Sequence, residues 1–270
     1  MKGRVASNLA IGGGWRILEI VAPQLAARSR AGQFLQVRAA DGDDPLVRRP
    51  FSIYDLLAGP EETASSLRLL FQVVGPGTRF MARLEGGDLV DLLGPLGTPF
   101  PLPDPSFSGE LLLVGGGIGV APLHLYARER LQDRPAPRLR ILLGARREEL
   151  LVGREAFEKL GLPTIVATDD GSAGHRGSVV ELLEEVLQDL APGQVFGIGC
   201  GPHGMNRALR DLAVAHGLDF WISLENTMPC GFGACFGCVI PTAGSPSPPR
   251  YRRVCVEGPA FRARDLPEAF

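Results

Sequence analysis

Lysine is nearly absent. Of 28 basic residues only Lys2 and Lys159 are lysines, and the rest are arginines. The charge sum is not unusual, because 30 acidic residues bring the net charge to −2. A chain without a basic excess lacks the electrostatic footprint of a nucleic-acid binder, so the arginine preference is read as a codon or thermal bias. Long apolar runs are missing too. The longest uncharged one, Leu111 to Ala127, has 17 residues and carries five glycines or prolines and His124. That suits a buried strand–turn–helix better than a membrane span of about 20 residues. No continuous apolar core follows Lys2 and Arg4, so no secretory signal is visible and a cytoplasmic location is expected. The four histidines, His124, His175, His203 and His216, are scattered, and none has a triad-like setting. No catalytic residue is therefore assigned, and the lack of a substrate site of its own implies a partner.

What is present is an ordinary globular composition, 45% hydrophobic and 21% charged. The 270 residues suggest two domains at roughly 150 residues each. The first hundred residues carry short β-type runs bounded by turn residues: Trp15 to Val21, Phe34 to Arg38, Arg48 to Tyr54, Ser66 to Val74 and Asp88 to Leu93. This spacing predicts a small antiparallel barrel over residues 1–100. The proline-rich stretch Pro99 to Gly109 ends it as a linker. Strands then alternate with helices, predicting a doubly wound parallel sheet over residues 101–222. The strands are Glu110 to Val114, Arg138 to Leu143, Thr164 to Ala167 and Gln194 to Ile198, and the helices Ala121 to Leu131, Arg154 to Leu160, Val179 to Leu190 and Gly204 to His216. Residues 223–270 hold four of the five cysteines and little periodicity, and are expected to form a small module held by something other than a core.

Cys230, Cys235, Cys238 and Cys255 are spaced C-x4-C-x2-C-x16-C, the spacing of plant-type [2Fe–2S] ligation. Three thiolates from one loop wrap around two irons and the fourth arrives from elsewhere. The glycines of C-G-F-G-A-C-F-G-C allow the tight loop and let backbone N–H groups approach the sulfides. A structural zinc is the alternative, although it favours paired C-x2-C units. Disulfides need an oxidising compartment, which nothing suggests. Cys200 stands apart and is not counted as a ligand.

Two glycine-rich turns and one arginine motif suit phosphates. Gly115 to Pro122 (G-G-G-I-G-V-A-P) follows a strand and opens a helix, so Gly117 and Gly119 fit a pyrophosphate cradle. Tight strand–helix packing is the alternative reading of that turn. Gly75-Pro76-Gly77-Thr78 also precedes a helix, and Arg49 in R-R-P-F-S-I-Y can pair a phosphate bidentately. In order, R-x-F-S (Arg49 to Ser52), G-x-G-T (Gly75 to Thr78), G-x-G-x-x-P (Gly117 to Pro122) and C-G-P (Cys200 to Pro202) resemble the ferredoxin–NADP reductase superfamily. With Ala31 to Phe34, Gly87 to Gly97, Thr168 to Ser172, Leu224 to Cys235 and Val254 to Phe261 added, the chain is similar to the electron-transfer subunits of dihydroorotate dehydrogenase B over nearly its whole length. Ala31 departs from the proline frequent at that place.

The resemblance implies that Arg49, Pro50, Phe51, Ser52, Leu70, Phe71 and Gln72 line FAD, with Gly77 and Thr78 at its pyrophosphate. It implies nicotinamide-nucleotide binding at Gly117, Gly119, Cys200, Gly201 and Pro202, with NAD expected, and cluster ligation by Cys230, Cys235, Cys238 and Cys255. Arg146 and Arg147 are the residues that could instead reach the 2′-phosphate of NADPH. The implied partner is an FMN-containing catalytic subunit that oxidises dihydroorotate, in a two-plus-two heterotetramer, with electrons passing from FMN through the cluster and FAD to NAD+. Such a subunit joins hydride transfer to single-electron transfer, since a flavin does both. Arg250, Arg252 and Arg253 could dock the partner or form a solvated loop. Glu225 is either near the flavin or a surface carboxylate at a strand end, His203 is expected to be a structural loop residue, and Asp169 and Asp170 a turn by the nicotinamide. The alternatives are a related flavin/iron–sulfur reductase serving a hydrogenase or ferredoxin, and a redox-sensing module that uses the cysteines for zinc.

Overall fold

Two strands that the sequence presents very differently open the chain. In β1 (Lys2–Ala10) only Gly3 and Val5 are buried, so no apolar pattern announces it. In β2 (Trp15–Val21) Trp15, Leu18 and Ile20 are buried. They pair antiparallel, Val5 opposite Ile20. The computed structural model describes residues 1–40, 42, 45–58, 64–243, 250–268 and 270. After a short helix α1 (Pro23–Ala26) come β3 (Phe34–Val37), β4 (Arg49–Ser52), β5 (Asp55–Ala58) and β6 (Ala64–Gln72). Helix α2 (Pro76–Ala82) and β7 (Leu89–Leu96) follow.

The first sheet has the order β4-β3-β7-β1-β2-β6-β5, with every pairing antiparallel. Its two edges, β4 and β5, are halves of one segment. Ile53 N–H donates to Gln33 on one side and Tyr54 N–H to Arg68 on the other, at 3.1 and 2.9 Å. The segment therefore joins the edges and closes the sheet into the expected barrel, leaving no long unpaired edge among the described residues. Leu18, Ile20, Leu35, Val37, Leu67, Leu69 and Leu92 fill it. The strand expected to run to Val74 stops at Gln72, because the N–H groups of Val74 and Gly75 turn to the Thr78 hydroxyl.

The second sheet begins with β8 (Glu110–Gly116), followed by helix α3 (Val120–Arg130) and β9 (Arg138–Ala145). Helix α4 (Arg154–Lys159), β10 (Thr164–Thr168), β11 (His175–Arg176), α5 (Val179–Leu187), β12 (Val195–Cys200), α6 (His203–Ala215) and β13 (Asp219–Ser223) come next. Helix α5 ends three residues earlier than its apolar period suggests, where Leu190 bonds back to Leu187 and the chain approaches Pro192. The remaining elements are β14 (Val239–Pro241), β15 (Tyr251–Arg253), α7 (Val254–Glu257) and β16 (Ala260–Arg262).

This sheet is ordered β11-β10-β9-β8-β12-β13-β16 and is parallel except for the β13–β16 pair. Leu111 and Leu113 of β8 face α3 and α4, while Leu112 and Val114 face α5 and α6, the two-sided burial of a parallel sheet. The chain winds from β8 to β9, β10 and β11 on one side, then resumes at β12 on the other. The switch point lies between β8 and β12, and ligands of open α/β sheets bind there, outside the carboxyl ends of the strands.

The last fifty residues differ from expectation. They do share a core: Cys238, Ile240, Val254, Phe261 and Leu266 are buried with Ile222, Leu224 and Phe34. β16 adds to the parallel sheet, Phe261 opposite Ile222. Strands of three residues carry too little period to be read locally, and the pairing is long-range.

Candidate cofactor cleft and cysteine loop

The switch point places two of the expected motifs side by side. Cys200, the last residue of β12, pairs with Gly115 of β8, so the turn at Gly117 to Pro122 and the turn at Gly201-Pro202 leave adjacent strand ends. The two glycines of the first turn differ in their reasons. Gly117 has φ +53 and open space where a Cβ would stand. At Gly119 a Cβ would land on the Cys200 carbonyl, so glycine is required there by close strand–turn packing.

Facing the switch point across about 360 Å³ of cleft is the barrel. Pro50, Phe51 and Ser52 of β4 and Leu70, Phe71 and Gln72 of β6 line it, with Thr78 of α2 at one end. Phe51 and Phe71 meet edge to face at 6.2 Å. The opposite wall is Ile118, Ala121, Pro122 and Cys200, and a third side is Ser223 to Asn226, Met228 and Pro259. Eight of the expected FAD and nucleotide residues therefore share one space. Arg49 and Gly77 are together beside it: a Cβ on Gly77 would lie 3.2 Å from the Ala39 methyl and 3.7 Å from Arg49 Cγ. Arg49 itself donates to the Val47 carbonyl at 2.5 Å. The Thr78 hydroxyl is engaged in its own turn, accepting from Gly75 N–H at 3.0 Å. Gly201 lies in the adjoining recess rather than in the cleft.

Three polar groups meet at the cleft floor. Burial pushes the Cys200 thiol up to about 12, and the neighbouring Glu225 charge adds to the effect against a Ser223 hydrogen bond. Glu225 opens to solvent through the cleft but is enclosed by protein on most sides, and that desolvation raises its carboxyl. Cys200 is thus held as a neutral thiol beside a carboxyl that burial shifts upward from its ordinary range. Of the two sequence readings of Glu225, its position favours the cleft.

The cysteine loop begins two residues beyond Met228. Cys230 and Cys235 form one pair, with the Cys235 thiol bonding Cys230, and Cys238 and Cys255 form another. Cys255 N–H points at Cys238 Sγ at 3.5 Å. Desolvation opposes ionisation of Cys230, but the backbone N–H groups of Cys235, Phe232 and Ala234 outweigh it and bring the pKa to about 6. Burial and the Cys238 partner push Cys255 up to about 12, and the Cys230 charge contributes. Cys238 and Cys255 are buried, while Cys235 is exposed. Among the described residues no three or more His, Cys, Asp or Glu are placed to hold a single metal ion. Two neighbouring thiol pairs with N–H donors turned to sulfur fit a pair of irons, each taking two thiolates.

Gln36 of β3 was not foreseen. It is fully buried, and its Nε2 donates to the Met228 carbonyl at 2.5 Å. A Cβ on Gly231 would lie 2.6 Å from Gln36 Cγ. The barrel thereby grips the start of the cysteine loop. Nothing local in the sequence marks such a residue. His203 begins α6, and Asp170 holds the turn after β10 by accepting from the Ser172 hydroxyl at 2.6 Å. Arg147 pairs with Glu149 at 3.0 Å, Arg252 with Asp265 at 3.8 Å and Arg253 with Glu257 at 3.0 Å; Arg250 is exposed.

Comparison with known proteins agrees with this arrangement. Residues 225–267 match the iron–sulfur cluster binding domain of dihydroorotate dehydrogenase B, and residues 113–211 an oxidoreductase NAD-binding domain. The dihydroorotate dehydrogenase B (NAD+) electron transfer subunit of Caldanaerobacter subterraneus is 35% identical, over 98% of both chains. That of Geobacillus thermodenitrificans is 37% identical over 90% of this chain and 88% of the relative. Among solved structures, an NADH-dependent reduced ferredoxin–NADP oxidoreductase superposes with TM-score 0.80 at 28% identity, covering 98% of this chain and 89% of that one. A Neisseria gonorrhoeae ferredoxin–NADP+ reductase superposes with TM-score 0.66 at 20% identity, covering 85% and 95%, and shares the fold. By these identities and coverages, the chain belongs to the family of dihydroorotate dehydrogenase B (NAD+) electron transfer subunits.

Proposed function

We propose that this chain passes electrons between an FMN-containing dihydroorotate dehydrogenase catalytic subunit and NAD+, in pyrimidine synthesis. The observation that carries it is the three-sided cleft, walled by the barrel, by the switch point of the parallel sheet and by the segment that runs into the cysteine loop. When bound, FAD supplies both hydride and single-electron chemistry, and a [2Fe–2S] cluster supplies single-electron transfer. The protein supplies position, exclusion of water and charge.

In this reading Pro50, Phe51, Ser52, Leu70, Phe71 and Gln72 hold the flavin ring, while Arg49 swings from the Val47 carbonyl to a flavin phosphate beside Gly77 and Thr78. Gly117, Gly119, Cys200, Gly201 and Pro202 receive the nicotinamide nucleotide, and Cys230, Cys235, Cys238 and Cys255 hold the cluster. Cys200, a neutral thiol, and Glu225, whose carboxyl pKa burial raises, form the floor near the reacting ring. The barrel, nucleotide sheet and cysteine module divide near residues 100 and 222.

The exposed side of the cysteine loop meets the partner. Phe232, Phe236 and Tyr251 are each about 60% exposed there, and the Arg253 guanidinium lies 5.4 Å over the Phe236 ring. Aromatic and arginine side chains are enriched at interface anchors. Assembly is two plus two and the complex is cytoplasmic; no helix among the described residues is long and apolar enough to cross a membrane. A reductase serving a hydrogenase or ferredoxin is the second reading. The relatives bearing the dihydroorotate name at 35–38% identity, against 28% for the ferredoxin-linked structure, favour the first. Co-purification with an FMN-type dihydroorotate dehydrogenase, assayed for dihydroorotate-dependent NAD+ reduction, tests it. Reduction of ferredoxin but not of NAD+ by the reconstituted pair would replace it with the second.

A further inference from the structure

Cys230, Cys235 and Cys238 stand on a loop that has little beneath it. Of residues 231–237 only Gly231 and Gly233 are buried. Phe232, Phe236 and Cys235 are exposed. Gly233 is backed by Val256 and by Arg253, whose Nη1 donates to the Gly233 carbonyl at 3.4 Å. Gly231 is backed by Leu96 and Gln36, both residues of the barrel.

Gln36 stands between this loop and the flavin wall. It lies opposite Pro50 on the neighbouring strand, and its Nε2 donates to the Met228 carbonyl at 2.5 Å. Pro50 and Met228 both line the cleft. On the loop side, a Cβ on Gly231 would stand 2.8 Å from the same Nε2. One amide thus locates the residues on either side of Pro229 and Cys230. Gln36 is fully buried, and its Oε1 has no hydrogen-bond partner among the described residues. A buried acceptor left unpaired costs stability. An apolar side chain would fill the place without that cost, so Gln36 matters for what Nε2 holds.

The donors to sulfur lie just beyond this grip. Gly231 has φ +81 and turns the chain. The backbone N–H groups of Cys235, Phe232 and Ala234 then point back at Cys230. N–H donors to a cluster thiolate stabilise the reduced, more negative form and raise its potential. Hydrogen bonds weaken steeply away from their axis, so a shift at Gly231 would misdirect the donors together.

We propose that Gln36 is a positioning residue for the cluster's reduction potential. By fixing Met228 and Gly231 from the barrel, it keeps the N–H groups of Phe232, Ala234 and Cys235 aimed at the Cys230 sulfur. The proposal rests on the reading that Cys230, Cys235, Cys238 and Cys255 hold a [2Fe–2S] cluster.

Potentiometric titration of the chain loaded with FAD and cluster, followed by the paramagnetic signal of the reduced cluster, tests it. Gln36→Met keeps an unbranched chain of similar length beside Gly231 and removes the donor. Gln36→Leu removes it with a branched chain, and serves should the first variant not fold. Iron, sulfide and FAD per chain should stay at wild-type level. At a fixed potential the ratio of reduced to oxidised cluster should fall about tenfold, which is about 59 mV toward harder reduction for one electron. Thr98→Val is the control. Thr98 N–H and Oγ1 both donate to the Gly258 carbonyl, at 2.7 and 3.1 Å, so the barrel also grips the chain beyond Cys255, on the far side of the module from the donors to Cys230. This variant loses one of the two bonds and should keep the wild-type potential. A wild-type potential in the Gln36 variants would overturn the proposal. So would an equal shift in Thr98→Val, which would mean a general loosening of the module. Loss of the cluster from the Gln36 variants with FAD retained would also overturn it, since Gln36 would then serve assembly and not potential. The absence of any paramagnetic signal from dithionite-treated wild-type protein would instead overturn the cluster reading.

Discussion

The ring of His124, in α3 of the nucleotide sheet, stacks on that of Tyr54 in the barrel, 4.5 Å apart and inclined by 24°. Its Nδ1 lies 3.3 Å from the Tyr54 carbonyl oxygen. Beside them Arg128 Nη1 pairs with Asp55 Oδ1 at 2.7 Å. Further along α3, Ala31 N–H donates to Glu129 at 3.1 Å and the Tyr126 hydroxyl to the Pro101 carbonyl at 2.9 Å. Helix α3 is therefore riveted to the barrel, and its first turn carries Ala121 and Pro122 to the cleft. The geometry of the two-domain cleft depends on this contact.

Acid should loosen that rivet. Burial lowers the His124 pKa from 6.5, with Arg128 and Arg68 adding to the effect and Asp55 and the Tyr54 carbonyl opposing it. The unfolded chain then binds a proton that the folded chain refuses. Stability attributable to His124 is fully present above 6.5 and declines as pH falls through that value toward the folded pKa. Denaturant midpoints measured between pH 7.5 and 5 should fall for the wild type, and fall less for His124→Phe, which keeps a stacked ring without a titrating nitrogen. Parallel pH profiles for the two would remove His124 from the account.

Cys235→Ser removes the exposed member of the outer thiol pair. The expected result is loss of the cluster's absorption and of its paramagnetic signal after dithionite, with FAD retained. NADH-driven dye reduction should stay near the wild-type rate, because the cleft residues belong to the barrel and the parallel sheet. Loss of FAD from this variant under mild conditions would show that the modules do not stand independently.

Much of this fold is legible because burial leaves a period. Leu182, Leu183, Val186 and Leu187 repeat at helical spacing and are the buried face of α5, and Leu111 to Val114 is a continuous apolar strand at the sheet centre. β1 escapes notice because its polar residues outnumber its buried ones. β16 escapes because its reason to exist is Ile222, far away in sequence. The cysteine loop declares itself by spacing, since ligands must come from a short segment. Gln36 and Asn206 do not, for each is a polar residue whose role is set by what folds against it: the Met228 carbonyl for one and the Ser223 carbonyl for the other.

Arg49→Ala tests the phosphate end of the flavin site. Among the described residues the guanidinium holds backbone carbonyls of its own segment, Val47 and Arg48, neither of them at a buried position, so its removal leaves none of these groups buried and unpaired. A lost charge-assisted contact to phosphate should weaken FAD binding by about 1.5–3 kcal/mol, or roughly 10- to 150-fold in dissociation constant. Fold stability without FAD should be almost unchanged. Flavin retention equal to wild type would remove Arg49 from the site.

Gly231→Ala tests how the barrel seats the cysteine loop. Gly231 has φ +81, a conformation that costs a residue with a Cβ roughly 1–2 kcal/mol. The added methyl would stand 2.6 Å from Gln36 Cγ and 2.8 Å from Nε2, the atom that donates to Met228. The substitution thus strains the loop and pushes aside the side chain that anchors it. Iron and sulfide per chain should fall while FAD content holds. Adding Gln36→Ala relieves the clash but not the backbone strain and also forfeits the Met228 bond, so the double variant should recover cluster content in part. Full recovery would mean the clash alone matters, and no recovery that the left-handed turn does. Undiminished cluster content in the single variant would show that the loop is seated by its thiol pairs and not by the barrel.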